Sequence, residues 1–204
     1  MRPDFHARET AGLARELAGL PHWEYREIVV CGRPCRQNRQ SCALTVVPGL
    51  QYRYSAVDDV DAPVMTPRVG AALRKAAELV GHGFAPNYCL LNRYNDGSEV
   101  VGWHADQTHD LAPPHWIASV SIGATRRFEF RRRSDHAVVQ RLELPDGCMV
   151  VMGPNVQRLY HHRIAPNARI ADPRYNLTFR QVFPPDGGGA VAAAAAGGSA
   201  GPSK

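Results

Sequence analysis

Arg174-Tyr175-Asn176-Leu177-Thr178-Phe179-Arg180 decides how the chain is read. Its even-numbered positions are polar and its odd ones aromatic or aliphatic. Side chains on a strand alternate faces, so one face carries Arg, Asn, Thr and Arg, and the other Tyr, Leu and Phe. A half-buried strand with its polar face in water would show the same alternation. Yet two arginines bracketing Asn and Thr are unusual for a solvent face, and they make sense inside a barrel that holds an anion. Arginine gives carboxylates bidentate, charge-assisted bonds. Asn92 and Tyr94 form a further i, i+2 pair whose amide and phenol can donate to one ligand.

Working outward, the chain from Asn87 reads as β structure. Candidate strands are 88–94, 99–105, 116–122, 128–131, 138–144, 148–152, 158–164 and 174–182, with turns at Asn95-Asp96-Gly97, Pro145-Asp146-Gly147 and Gly153-Pro154-Asn155. About eight short strands at this spacing suggest a sandwich or jelly roll. Before them, Pro67 to Gly81 reads as a helix, with Pro at its start, Val69, Leu73, Ala76, Ala77 and Val80 on its apolar face, and Gly as its stop. It is expected to buttress the outside of a sheet. Residues 4–20 form a second amphipathic candidate ending at Pro21. Tyr25 to Val30 reads as a strand, followed by a polar loop over 31–40 with three arginines. That loop is either simply solvated or a nucleic-acid-contacting arm. Tyr52 and Tyr54 share one side of an extended segment, as a core aromatic pair or as a platform for stacking a base. The Gly/Ala-rich end cannot bury a core and is expected to be disordered.

The chain has 204 residues, enough for one domain with a real core, and a formal net charge of +5 carried mainly by arginine. That balance permits an anionic partner without demanding one. The five cysteines (31, 35, 42, 89 and 148) form no zinc-type pairs, and no signal peptide is evident, so free thiols in a reducing, intracellular compartment are expected. No apolar run approaches the ~20 residues of a membrane span.

Gly102-Trp103-His104-Ala105-Asp106 carries the chemistry. His104 and Asp106, two apart on a strand, would aim an imidazole and a carboxylate at one point. Leu159-Tyr160-His161-His162 supplies a third ligand. Two His and one carboxylate on one face of a metal make the facial triad of non-haem Fe(II) oxygenases.

Asn92-Arg93-Tyr94, His104-Ala105-Asp106, Tyr160-His161 and Arg174 to Arg180, in that order, closely resemble the AlkB family of Fe(II)- and 2-oxoglutarate-dependent dioxygenases. The resemblance covers roughly residues 28–183. Ile117 to Ala124 and Arg127 to Arg131 also look like core strands of that family. It implies a mainly β fold with flanking helices (α+β): a double-stranded β-helix, or jelly roll, under an N-terminal nucleotide-recognition lid. The expected division is a helical segment over 1–24, the lid over 25–66, the dioxygenase core over 67–183 and the tail over 184–204.

The resemblance further implies that His104, Asp106 and His161 bind iron. His161 and His162 are rivals, because only one of two neighbours on a strand can face the metal. The family sets its ligand directly after an aromatic residue, which selects His161. Asn92, Tyr94, Arg174, Asn176, Thr178 and Arg180 would line the 2-oxoglutarate site, with Arg174 on the distal carboxylate and Arg180 near the iron-chelating end. Cys31, Gly32, Arg33, Tyr52, Arg53, Tyr54 and Gln107 would contact substrate. The implied activity is oxidative demethylation of bases of the 1-methyladenine and 3-methylcytosine type in DNA, with RNA left open, using O₂ and releasing formaldehyde and succinate. Such a base must be flipped out or already single-stranded to be reached. The expected enzyme is a monomer off the membrane, nuclear in a eukaryote or cytoplasmic in a bacterium. The alternatives are a dioxygenase acting on a protein or small molecule, and a non-catalytic cupin-like module. Two positions depart from the family. Thr108 stands where repair members often carry an acid, and Cys31 stands where a bulky apolar wedge would fill the gap left by a flipped base.

Overall fold

A computed structural model describes residues 4–30, 32–50, 52–54, 57–58 and 62–183. The elements run α1 (Ala7–Ala18), β1 (Glu27–Val30), β2 (Arg33–Arg36), β3 (Gln40–Thr45), β4 (Arg53–Tyr54), β5 (Val57–Asp58), α2 (Pro67–Val80), β6 (Tyr88–Tyr94), β7 (Val101–His104) and β8 (Ile117–Gly123). They continue through β9 (Arg126–Arg132), β10 (Val138–Leu144), β11 (Met149–Met152), α3 (Val156–Leu159), β12 (Tyr160–Ile164) and β13 (Arg174–Arg180).

Two sheets make the body. A five-stranded sheet has the order β11-β8-β13-β6-β3, and a four-stranded sheet the order β10-β9-β12-β7. β13 lies centrally, antiparallel to both β6 and β8, and every one of its residues is buried. A strand covered on both faces keeps its alternation only if each face meets a different environment. The odd face does meet one: Tyr175, Leu177 and Phe179 join Leu13, Leu17, Val69, Leu73 and Ala76 in an apolar cluster under α1 and α2. Burying a side chain of this size contributes about 1.5–3 kcal/mol, so this layer holds the two helices on the sheet. The even face points the other way, toward the second sheet. There Tyr88, Leu90, Phe128, Leu144, Met152 and Ile164 form the second cluster around a polar interior.

The helices follow their sequence signals. α2 starts on Pro67 and stops at Gly81, whose φ of 64° suits glycine. In α1 the Glu9 carboxylate accepts from the backbone N–H of His6 and binds Lys75 of α2 at 2.8 Å. The turn at Gly97 needs a glycine because a Cβ there would meet the Asn167 carbonyl at 1.8 Å.

The expectation of a loop over 31–40 needs correction. Arg33–Arg36 pairs with Glu27–Val30 in a two-stranded ribbon, with Val30 opposite Arg33 across a turn containing Gly32 (φ 75°). Gln40–Thr45 is a further strand, added to the edge of the large sheet beside β6. The 158–164 strand is shorter than expected, since Val156–Leu159 forms a single helical turn before it. No helix among the described residues is long and apolar enough to cross a membrane. The Gly/Ala-rich tail lies outside the described residues.

Candidate metal and co-substrate site

His104 ends β7, and Asp106 lies just beyond the strand. Their convergence therefore does not come from strand alternation alone. The Asp106 backbone N–H donates to Gln157 Oε1 at 2.8 Å, which fixes the turn. Its carboxylate Oδ2 accepts from Arg180 Nη2 at 2.7 Å. The other oxygen, Oδ1, lies 3.5 Å from His104 Nε2 and 3.6 Å from His162 Nε2. One ligand atom from each of His104, Asp106 and His162 lies within 4.8 Å of the others.

The third member of this group is His162, where His161 was expected. β12 pairs with β7 so that His162 sits opposite His104, and with β9 so that His162 sits opposite Phe130. His162 is buried at 4% exposure, its ring 4.2 Å from that of His104. His161 points to the other face of the same sheet. There Arg131 Nη2 approaches its Nδ1 at 3.5 Å, and the ring of His136 lies 6.4 Å away.

The electrostatics suit a divalent cation. Burial raises the Asp106 carboxyl, but the Arg180 guanidinium and hydrogen bonds from His104 and His162 outweigh it and hold the group well below the usual carboxylate range. Burial, followed by the charge of His104, pushes the His162 imidazole down, favouring the neutral form a metal requires. His104 Nδ1 lies 2.8 Å from the Gly102 carbonyl. A proton on Nδ1 bonds that carbonyl, so Nε2, which faces Asp106 and His162, is the nitrogen that would give up its proton to bind a metal.

Beside this group lies the polar face of β13. Arg174, Asn176, Thr178 and Arg180 all line one cleft with His104, Asp106 and His162, and with Asn92 and Tyr94 from β6. Side-chain bonds set the wall. Arg174 Nη2 donates to Ser121 Oγ at 2.8 Å, Asn176 Nδ2 to Ser119 Oγ at 2.8 Å, and Thr178 Oγ1 to Asn176 Oδ1 at 2.9 Å. Arg174 is 1% exposed, its Cζ lies 5.2 Å from the Tyr94 ring centroid, and its Nε and Nη1 have no hydrogen-bond partner. Burial lowers the pKa of its guanidinium. A buried cation with spare donors is costly until an anion reaches it. The chemistry of these groups fits an anionic co-substrate such as a dicarboxylate.

Three participants were not legible as site residues. Ser119 and Ser121 are small polar positions in an apolar β8, opposite Thr178 and Asn176. Arg39, between β2 and β3, is 5% exposed and donates from Nε to Asn92 Oδ1 at 2.6 Å. It lines both the cleft and a neighbouring groove.

That groove, of about 450 Å³, runs between the β1–β2 ribbon and β7 and opens beside His104. Gln107 is among its lining residues. Arg33 and Gly32 sit exposed on the ribbon. Tyr52 is not an open stacking platform. It is 1% exposed, packs on Tyr88 at 4.9 Å, has the Arg180 guanidinium 5.2 Å from its ring, and donates to the Gln107 carbonyl at 3.1 Å. Cys31 and the side chains of Arg53 and Tyr54 lie outside the described residues.

A β-sandwich with His, Asp and His around one point, next to a buried arginine cleft, defines a metal-dependent oxygenase scaffold. The sequence profile of the 2OG-Fe(II) oxygenase superfamily matches residues 3–180, and the chain belongs to that superfamily. The AlkB resemblance holds in comparison with known proteins. The DNA oxidative demethylase ALKBH2 of Mus musculus is 35% identical over 143 residues, which make up 67% of this chain and 59% of that protein. The alpha-ketoglutarate-dependent dioxygenase alkB homolog 3 of Homo sapiens is 34% identical over 143 residues, 66% of this chain and 49% of that protein. The chain thus spans between about half and three-fifths of the length of these curated relatives. The solved structure of OsALKBH1 matches the fold with a TM-score of 0.56 at 21% identity, covering 89% of this chain and 98% of that one.

Proposed function

We propose that this protein is an Fe(II)- and 2-oxoglutarate-dependent dioxygenase that demethylates N-alkylated bases in nucleic acid. The observation that carries the reading is Arg174. It is a fully buried guanidinium with spare donors, in the same cleft as a His-Asp-His group. Family membership supplies the cofactor pair, and the names of the relatives supply the substrate class.

Within this reading His104, Asp106 and His162 hold the iron. Arg174 grips the distal carboxylate of 2-oxoglutarate, with Ser121 setting its orientation. Asn92, Asn176 and Thr178 line the path between the two ends. Arg180 keeps Asp106 ionised and aimed at the metal. Iron held by these three residues, with 2-oxoglutarate beside it, would supply the O₂ activation that converts 2-oxoglutarate to succinate and CO₂ and hydroxylates an N-methyl group, which would then leave as formaldehyde. The protein's share is positioning and exclusion of water. The groove beside His104 admits the alkylated base, flipped from a duplex or presented on a single strand. Gln107 and the ribbon carrying Gly32 and Arg33 lie along its route.

The test is formaldehyde release from oligonucleotides carrying 1-methyladenine or 3-methylcytosine, as single and double strands of DNA and RNA. Release that depends on both Fe(II) and 2-oxoglutarate is expected. If no methylated oligonucleotide yields formaldehyde while the protein binds both cofactors, the nucleic-acid assignment is wrong.

A further inference from the structure

Gln37 stands between β2 and β3 on the wall of the groove and is 4% exposed. The Ser41 hydroxyl donates to its Oε1 at 2.9 Å. Its Nε2 is then left buried with no hydrogen-bond partner. Buried amide donors are almost always paired, because an unpaired one forfeits its bonds to water. The backbone cannot easily turn the group away. Gln37 N donates to the Arg26 carbonyl at 2.9 Å, Val100 N to the Asn38 carbonyl at 3.1 Å, and Asn38 Nδ2 to the Ser98 carbonyl at 3.2 Å. The segment is thereby stitched to the chain entering β7, whose last residue is His104. His104 lines the same groove, and no carboxylate is among the described residues lining it.

We propose that Gln37 is a specificity-determining residue, whose Nε2 donates to a carbonyl oxygen adjoining the alkylated nitrogen of the target base. This deepens the demethylase reading and rests on it. Bases differ sharply in what flanks that nitrogen. In 3-methylthymine it lies between two carbonyls, and the base is neutral. In 1-methyladenine it adjoins an amino group, and the base is cationic. A wall that offers an amide donor and no carboxylate suits the first kind. A site built to bond one polar group discriminates strongly against an analogue that leaves the site unpaired.

The experiment compares kcat/KM on two single-stranded oligonucleotides, one with a single 3-methylthymine and one with a single 1-methyladenine. Three proteins are used: wild type, Gln37→Leu and Gln37→Glu. Gln37→Leu is expected to lower the 3-methylthymine to 1-methyladenine ratio about tenfold, the effect of one buried hydrogen bond. Gln37→Glu keeps the shape and the bond from Ser41 but replaces the donor with an anion. It is expected to lower the ratio further, by raising turnover of the cationic base. A purely structural role would lower both substrates together and leave the ratio in place. An unchanged ratio in Gln37→Glu, with the variant folded by circular dichroism, overturns the assignment. If wild type turns over neither oligonucleotide, the role of Gln37 falls, and if 3-methylcytosine in the same strand is also untouched, the demethylase reading falls with it.

Discussion

Replacing His161 or His162 separately tests the centre of the site. The two residues are neighbours, yet the sheet sends them to opposite faces. His161 has one long contact, 3.5 Å to Arg131 Nη2, and lies partly in solvent. Burial, then the charges of Arg131 and Arg133, lowers its pKa, so its neutral ring contributes little charge at neutral pH. His161→Ala should therefore change stability by no more than about 0.5 kcal/mol and leave Fe(II) affinity within a few-fold. His162 is 4% exposed, with Nε2 3.6 Å from Asp106 Oδ1. His162→Ala removes one of the three proposed metal ligands. Loss of an outer-shell partner alone typically costs about 10–100-fold in metal affinity, so a ligand should cost at least about 100-fold, or ~2.7 kcal/mol. Anaerobic titration calorimetry with Fe(II), in the presence of 2-oxoglutarate, reads both variants directly. Melting curves of the apo proteins separate loss of the site from loss of the fold. Iron binding that survives in His162→Ala and disappears in His161→Ala would refute the face assignment and the β12 register behind it.

Arg180→Met leaves the Asp106 carboxylate buried without its cation, and breaking such a pair costs about 3–5 kcal/mol. The apo melting temperature should fall by roughly 10 °C, and adding Asp106→Asn should restore much of the loss; an unchanged Tm in the single variant would contradict the pairing. Arg39→Leu releases the Asn92 amide, and the Kd for 2-oxoglutarate, measured by calorimetry on the metal-loaded protein, should rise about tenfold. No rise would leave Arg39 as a groove residue only. For His162 the folded pKa lies below the ordinary value, so the unfolded chain takes up the proton first. Apo stability should fall as pH drops below about 6.5 and level off once the folded imidazole is protonated. A His162→Gln variant should flatten that part of the Tm–pH curve, and an equally steep curve would assign the drop elsewhere.

Much of the fold was legible because the chain alternates where burial is two-sided. In Arg174–Arg180 the odd residues meet helices and the even residues meet a polar cleft, so both periodicity and chemistry survive in the sequence. The same contrast made Asn92 and Tyr94 readable. The second strand of the β1–β2 ribbon was not readable, because all four residues of Arg33–Arg36 are exposed and no apolar face marks a strand. Arg39 and Gln37 were hidden for a related reason. They stand between strands, and only the pairing of β3 with β6 brings that segment to the cleft and the groove. Tyr52 and Tyr54 show the limit of parity itself. Two positions apart says that two rings share a side, but nothing local says whether that side is a binding surface or the core where Tyr52 is buried.

The exchange of His161 for His162 is more instructive, since the deciding signal was present. An aromatic residue before the ligand is a pattern of resemblance, with no geometry attached. Ile164 carries geometry. It is an aliphatic residue two positions after His162, and it packs in the cluster with Phe128 and Leu144 between the sheets. Period two places His162 on the face of Ile164, and His161 with Arg163 on the other. Both outer-face residues then meet charged or aromatic partners: Arg163 binds Glu129 at 2.6 Å and lies over the Trp103 ring, and His161 meets Arg131. Trp103 in turn occupies the face opposite His104, under Arg131 and Arg163, so β7 and β12 obey one rule, with His104 and His162 inward and a cation–aromatic layer outward. When two candidate ligands are adjacent, the nearest unambiguous core residue on the same strand fixes the phase, and it outranks the match to a motif.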